Sequence, residues 1–148
     1  MKLADALSGV TKLGVDTAPL IYYIEQHPRY APVVSPTFEL ISRGRVTGVT
    51  TVVTLVEVLT LPLQKGNQRL AESYKAVLES SDNLAMMPID QPIAERAAEL
   101  RAHYGLRTPD ALQVAAAVLA GCEAFLTNDK RLSLVPGLRI LVLDEFEA

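Results

Sequence analysis

Four acidic residues stand where neither an apolar core nor a plain solvated surface accounts for them: Asp16, Glu57, Asp110 and Asp129. Asp16 ends the short apolar run Lys12-Leu-Gly-Val15, and Asp129 lies two residues beyond Ala124-Phe-Leu-Thr127. Both runs read as buried strands. Glu57 has Leu55, Val56, Val58 and Leu59 around it, and Asp110 heads a largely apolar stretch that continues past Val118. An isolated buried carboxylate is expensive and needs a partner. The chain offers no obvious set of buried lysines or arginines for four such acids. Hard divalent cations do that work through carboxylate oxygens. Mg²⁺ keeps several waters, which leaves room for a phosphate oxygen and an attacking water. Acids gathered at one sheet edge therefore point to metal-assisted phosphodiester hydrolysis. Taken singly, two of them also have plainer readings. Asp110 complements the dipole of the helix it opens, a gain of ~0.3–1 kcal/mol. Glu57 pairs with an arginine or is exposed on an edge.

The elements that must position these acids follow from periodicity and punctuation. Asp16 and Thr17 can each cap a helix over Ala18–Gln26, with Leu20, Ile21, Tyr23 and Ile24 on one face. Pro32 and Pro36 fall in a connection, and Thr37–Arg43 is a short helix closed by Gly44. Arg45–Thr50 is the second strand. Thr51–Leu61 reads as a buried helix ended by Pro62, with strand as the alternative because of its β-branched content. Gln68–Ser80 is an amphipathic helix, Leu84–Ile89 an irregular strand, and Pro92–His103 a helix with Gly105 just past its end. Thr108 is placed to cap the next helix, with Pro109 at its first position. Asp129–Leu134 forms one helical turn, and Leu138–Leu143 is the last strand. Residues 1–11 show no clear period and read as an extension or a loose first turn. Short apolar strands alternating with helices make an α/β fold with a mostly parallel sheet covered on both faces.

Composition narrows the function classes. With 148 residues, 49% of them hydrophobic and 21% charged, the chain is one globular domain able to bury a core without staples. A net charge of −3 argues against a broad basic nucleic-acid-binding face, though not against a local basic rim around an acidic site. Cys122 is the only cysteine, which excludes an internal disulfide and a cysteine zinc cluster. The start of the chain lacks the apolar segment of a signal peptide, and no apolar run is long enough to span a bilayer. The expectation is a cytoplasmic protein without a membrane partner. His27 and His103 lie far from the acid motifs and make a poor basis for a triad or a zinc site. Arg107, Lys130 and Arg131 flank Asp110 and Asp129. They are placed either to steer an RNA backbone by charge or to serve as ordinary solvated residues.

The stretches around the acids also carry a family resemblance. Val15-Asp16-Thr17-Ala-Pro-Leu-Ile-Tyr-Tyr-Ile-Glu25, the residue Glu57, Leu106-Arg-Thr-Pro-Asp110-Ala-Leu and Phe125-Leu-Thr-Asn-Asp129-Lys-Arg-Leu132 resemble the four motifs of PIN domains. They are similar in particular to the toxin nucleases of VapBC toxin–antitoxin pairs. The resemblance runs from about Leu13 to Leu143, with all four acids in the expected order; residues 1–11 precede it. It implies a single PIN-like three-layer α/β/α domain over residues 1–148, core about 13–143, with a central, mostly parallel sheet of four to five short strands. It implies Mg²⁺-dependent endonucleolytic cleavage of RNA, with Mn²⁺ able to substitute. It also implies the toxin role in a type II toxin–antitoxin pair, a cognate antitoxin protein as partner, and a homodimer. Asp16, Glu57, Asp110 and Asp129 carry over as the acidic metal site, and Thr17 and Thr127 as the small hydroxyls that support it. Asp16 and Asp110 are then direct ligands, while Glu57 and Asp129 act directly or through water.

Other classes compete less well. A housekeeping PIN nuclease without an antitoxin, or a PIN fold serving only as a binding module, keeps the fold and changes the role; intact acids weigh against the second. Receiver domains want adjacent acids after an early strand, and haloacid-dehalogenase-like phosphatases want Asp-x-Asp after the first strand. Asp16-Thr17-Ala18 supplies neither pattern. No glycine-rich nucleotide loop is present.

Overall fold

A computed structural model covers residues 1–148. At its centre are five parallel strands, β1 (Lys12–Val15), β2 (Thr47–Thr51), β3 (Leu84–Met87), β4 (Ala124–Thr127) and β5 (Arg139–Val142). Their order in the sheet is β3-β2-β1-β4-β5. The helices are α1 (Leu3–Ala6), α2 (Thr17–Ile24), α3 (Ala31–Ser42), α4 (Val52–Gln64), α5 (Gln68–Ser80), α6 (Gln91–Tyr104) and α7 (Thr108–Leu119). Short 3₁₀ turns follow β4 at Lys130–Leu134 and β5 at Leu143–Glu145. The expected α/β architecture is present, and its sheet is parallel throughout.

Successive strand residues point to opposite faces, which divides the core in two. Leu13, Val15, Leu126 and Leu141 pack with Leu20, Val34, Phe38, Val58 and Tyr74 from α2, α3, α4 and α5. Val49 and Phe125 pack on the other side with Ile93, Leu100, Ala111 and Val114 from α6 and α7. Gly14 is what lets α7 lie close against β1. A Cβ there would stand 2.6 Å from Phe125 Cδ1 and 2.8 Å from Ala117 Cβ, shorter than any tolerable contact. The strand order runs outward from β1 to β3 and then returns to β4 on the other flank of β1. In an open parallel sheet such a reversal leaves a crevice at the carboxyl ends of the two strands, here β1 and β4.

Several local expectations are corrected. Of the two readings of the first residues, the structure has a turn, not an extension, and the turn is not loose: Leu3, Ala6, Leu7 and Val10 are buried in the larger core, and Arg139 Nη1 donates to the Ala6 carbonyl at 2.7 Å. Pro32 and Pro36 lie inside α3, and Pro62 lies inside α4, which continues to Gln64. The cap of α7 is Arg107, in extended geometry and without a side-chain capping hydrogen bond, so Thr108 is already helical and Pro109 stands second. Gly105 does close α6 in the left-handed conformation, with φ 66°. No helix is long and apolar enough to cross a membrane.

Candidate active site

The β1–β4 crevice holds a cleft of about 280 Å³ whose lining includes Asp16, Glu57, Asp110 and Asp129. Each acid arrives by a different route. Asp16 is the cap of α2, stepping directly off β1, and its Oδ1 accepts from the Thr17 amide at 2.8 Å. Glu57 comes from α4, Asp110 from the first turn of α7, and Asp129 from the cap of the 3₁₀ turn after β4. All four sequence-derived acids thus reach one cleft. Thr17 and Thr127 reach it too.

Both threonines hold carboxylates. The Thr127 hydroxyl, fully buried, donates to Asp16 Oδ2 at 2.8 Å and accepts from the Asp129 amide at 3.1 Å. The Thr17 hydroxyl donates to Glu57 Oε1 at 2.7 Å. Glu57 itself is exposed, not buried as its apolar neighbours imply. Of those neighbours Val56 is more than half exposed, as are Leu61 and Leu63 farther along α4. The edge-exposed alternative therefore holds for Glu57.

The charges are arranged unequally. Asp16 is 9% exposed and takes part in no ion pair. Burial pushes its carboxyl up to about 6, opposed by the Thr127 and Thr17 hydrogen bonds and aided by the negative charges of Asp110 and Glu57. Asp110 Oδ2 accepts from Arg107 Nε at 3.1 Å. Asp129 is gripped through both oxygens by Arg131, with Nη2 at 2.6 Å from Oδ2, and that guanidinium holds the Asp129 carboxyl below the usual range. Arg107 and Arg131, whose side chains are both 64% exposed, therefore act as counterions to two of the acids, a role the sequence does not announce. Lys130 is exposed and unpaired.

The donor set suits a hard divalent cation in kind: carboxylate oxygens, with one of them buried and uncompensated. Asp16 and Glu57 are held by neutral hydroxyls and a backbone amide, so no cation competes for them. Asp110 and Asp129 are drawn toward arginines, and no three of the acids close on a common point. Engagement of a cation by all four requires the two arginines to yield, which their exposure permits.

Behind the acids lies a buried polar network that inspection of the sequence missed. Gln113, 3% exposed, accepts from the Thr51 hydroxyl at 2.6 Å. Its amide donates to Thr54 Oγ1 at 2.6 Å and to Thr17 Oγ1 at 3.3 Å. One side chain thus ties α7 to α4 and to the hydroxyl that holds Glu57. The available signal was a lone amide in the otherwise apolar body of α7. Gln113→Leu is expected to leave the Thr51 hydroxyl proton without an acceptor. It should lower stability by about 1–3 kcal/mol, read as a reduced urea midpoint at unchanged slope.

The PIN domain family model matches residues 14–138. Solved structures share the fold at low identity. VapBC2 from Rickettsia felis, bound to a DNA fragment from their promoter, aligns with a TM-score of 0.69 at 16% identity, covering 89% of this chain and 98% of that one. A toxin–antitoxin complex from Klebsiella pneumoniae gives 0.67 at 22% identity, with 90% and 98% covered. VapC20 of Mycobacterium tuberculosis, a toxin that cleaves the sarcin–ricin loop, gives 0.62 at 17% identity, with 78% and 87% covered. No curated protein matches the sequence. The family match spans most of the chain, and the parallel sheet with its acidic crevice agrees with it: the chain belongs to the PIN domain family.

Proposed function

We propose that this PIN domain is a divalent-metal-dependent endoribonuclease and the toxin half of a type II toxin–antitoxin pair. The observation that carries the reading is the meeting of Asp16, Glu57, Asp110 and Asp129, from four separate segments, in one cleft at the carboxyl edge of the sheet. Asp16 and Asp110 would hold Mg²⁺ or Mn²⁺ directly, with Glu57 and Asp129 joining directly or through water. The chemistry supplied on metal binding is polarisation of the phosphoryl group and a lowered pKa for the attacking water. The chain's own part is positional. Thr127 and the Thr17 amide fix both oxygens of Asp16, and Thr17 fixes Glu57. Arg107 and Arg131, once released by their acids, are free to neutralise phosphate oxygens, and Lys130 adds positive charge at the same rim.

Kinship in fold with toxins solved in antitoxin complexes supports an antitoxin as partner; a homodimer is part of the same proposal. The exposed Val56, Leu61 and Leu63 of α4 supply apolar surface suited to a protein partner. Purified protein incubated with total RNA and Mn²⁺ or Mg²⁺ is expected to yield endonucleolytic fragments. EDTA should stop the reaction and excess Mn²⁺ restore it. Failure to cleave any RNA when metal is present in excess, or cleavage that continues in EDTA, overturns the reading.

A further inference from the structure

The acidic cleft has a second wall that the hydrolytic chemistry does not use. Ala18, Ile21 and Tyr22 line the cleft together with the carboxylates. They lie at i, i+3 and i+4 on α2 and so share one helix face. The Tyr22 ring is braced by neighbouring rings and by the larger core. Tyr30 stacks on it with centroids 4.4 Å apart and planes 20° from parallel, and His27 meets it edge-on at 5.0 Å. The Arg29 guanidinium lies over Tyr30 at 5.1 Å. The brace is pinned to the 3₁₀ turn after β5: the Tyr30 hydroxyl donates to Asp144 Oδ1 at 2.6 Å, and Arg29 pairs with the same carboxylate at 3.4 Å. Asn128, itself on the cleft wall, accepts from the Asp144 amide at 3.1 Å and donates toward the Tyr22 hydroxyl at 3.4 Å. Two neighbouring rings, one of them under a guanidinium, thus hold one tyrosine in the lining of a charged cleft.

A nucleotide has the same two-sided chemistry, an anionic phosphate and a flat apolar base. The cleft offers metal-binding acids and arginines to the first, and a rigid apolar wall ending in an aromatic ring to the second. The geometry points to Tyr22 as a stacking platform for one unpaired nucleobase of the substrate, next to the phosphodiester that is cut. This rests on the endoribonuclease reading and sharpens its substrate class to RNA in which that nucleotide is single-stranded or splayed out. A base inside a duplex has no free face for the ring to cover. Because every base has a π-face, the platform selects for an exposed base more than for its identity.

The test begins from cleavage sites mapped on total RNA with the wild-type protein and Mn²⁺. A short oligoribonucleotide spanning a mapped site is then made with each nucleotide in turn replaced by an abasic one. Wild-type protein should lose about 5- to 160-fold in kcat/KM at a single position beside the cut, the range set by removal of one base–aromatic stack. Tyr22→Ala should lose the same factor on the intact oligonucleotide and nothing further on that abasic one, whereas Tyr22→Phe should keep full activity. The doubly altered pairing separates lost stacking from a disturbed fold, since a misfolded variant slows on every substrate alike. The abasic scan with wild-type protein stands even where Tyr22→Ala does not fold. Cleavage that is indifferent to every abasic position, or losses that multiply between Tyr22→Ala and the abasic site, overturn the platform and leave the nuclease standing. No cleavage of any RNA by wild-type protein overturns both.

Discussion

Asp110→Asn is expected to abolish RNA cleavage, a loss of at least about 10²–10³ in rate, while the protein stays folded. The two effects separate because they rest on interactions of very different size. What Asp110 gives the fold is a negative charge at the N-terminal end of α7 and a bond to Arg107. The first is worth ~0.3–1 kcal/mol. The second involves a guanidinium 64% exposed, so it adds no more than about 1 kcal/mol. Asparagine keeps the shape and a carbonyl oxygen for Arg107, and so recovers part of even that. The activity depends on something asparagine cannot replace, a full negative charge on an oxygen lining the cleft beside Asp16. Glu99→Gln, the same charge change on the exposed face of α6, is the control and should cleave at the wild-type rate. Full activity of Asp110→Asn at equal purity would falsify the assignment of the acids.

Much of this was legible because short parallel strands are so apolar that an acid at their ends stands out. Asp16 after Val15, and Asp129 after Thr127, are visible for that reason, and Gly105 marks the end of α6 because its φ of 66° favours glycine. What was hidden depends on tertiary contacts. A proline inside a helix costs ~3 kcal/mol, so Pro36 and Pro62 read as breaks. In the fold Val33, Val34, Phe38 and Ile41 of α3 are all buried, and Val58 and Pro62 of α4 likewise, and that packing outweighs the lost hydrogen bonds. Pro32, in the first turn of α3, gives up no helical bond. Leu3 and Leu7 lie in a stretch too short to show a period, yet both are almost wholly buried. Glu57 is hidden for the opposite reason: its apolar neighbours look like core, yet Val56 is exposed and only Val58 is fully buried. Gln113 was passed over because a single amide in an apolar helix has no pattern, and its partners Thr17, Thr51 and Thr54 come from other elements.

Asp16→Asn is expected to destroy cleavage and yet make the protein more stable at neutral pH. In the unfolded chain the Asp16 carboxyl titrates near 3.8, and in the fold burial raises it to about 6. The folded state therefore binds this proton more tightly than the unfolded state does. Below pH 3.8 the group is neutral in both and costs nothing. Between 3.8 and 6 the unfolded chain ionises first, and stability falls as pH rises; above 6 both are ionised and the full penalty is in place. That difference corresponds to on the order of 2–3 kcal/mol. Asparagine, nearly the same shape and never charged, escapes this while its carbonyl can still accept from the Thr17 amide. Urea unfolding without divalent metal should thus show the variant ahead by that amount at pH 7 to 8, with the gap closing as pH falls toward 4. Glu123 and Asp129, whose pKa values are lowered in the fold, act on both proteins alike and drop out of the difference. Added Mn²⁺ supplies a further check that needs no substrate. It should raise the wild-type midpoint by binding the folded form and should do little for Asp16→Asn. A variant no more stable than wild type at pH 8 would mean that Thr127 and Thr17 already compensate the buried charge, removing any need for a cation at Asp16. If instead the stability gap and the Mn²⁺ response appear together, the cost of burying an unpaired carboxylate beside Asp110 and Glu57 is what the fold bears to keep a cation site ready.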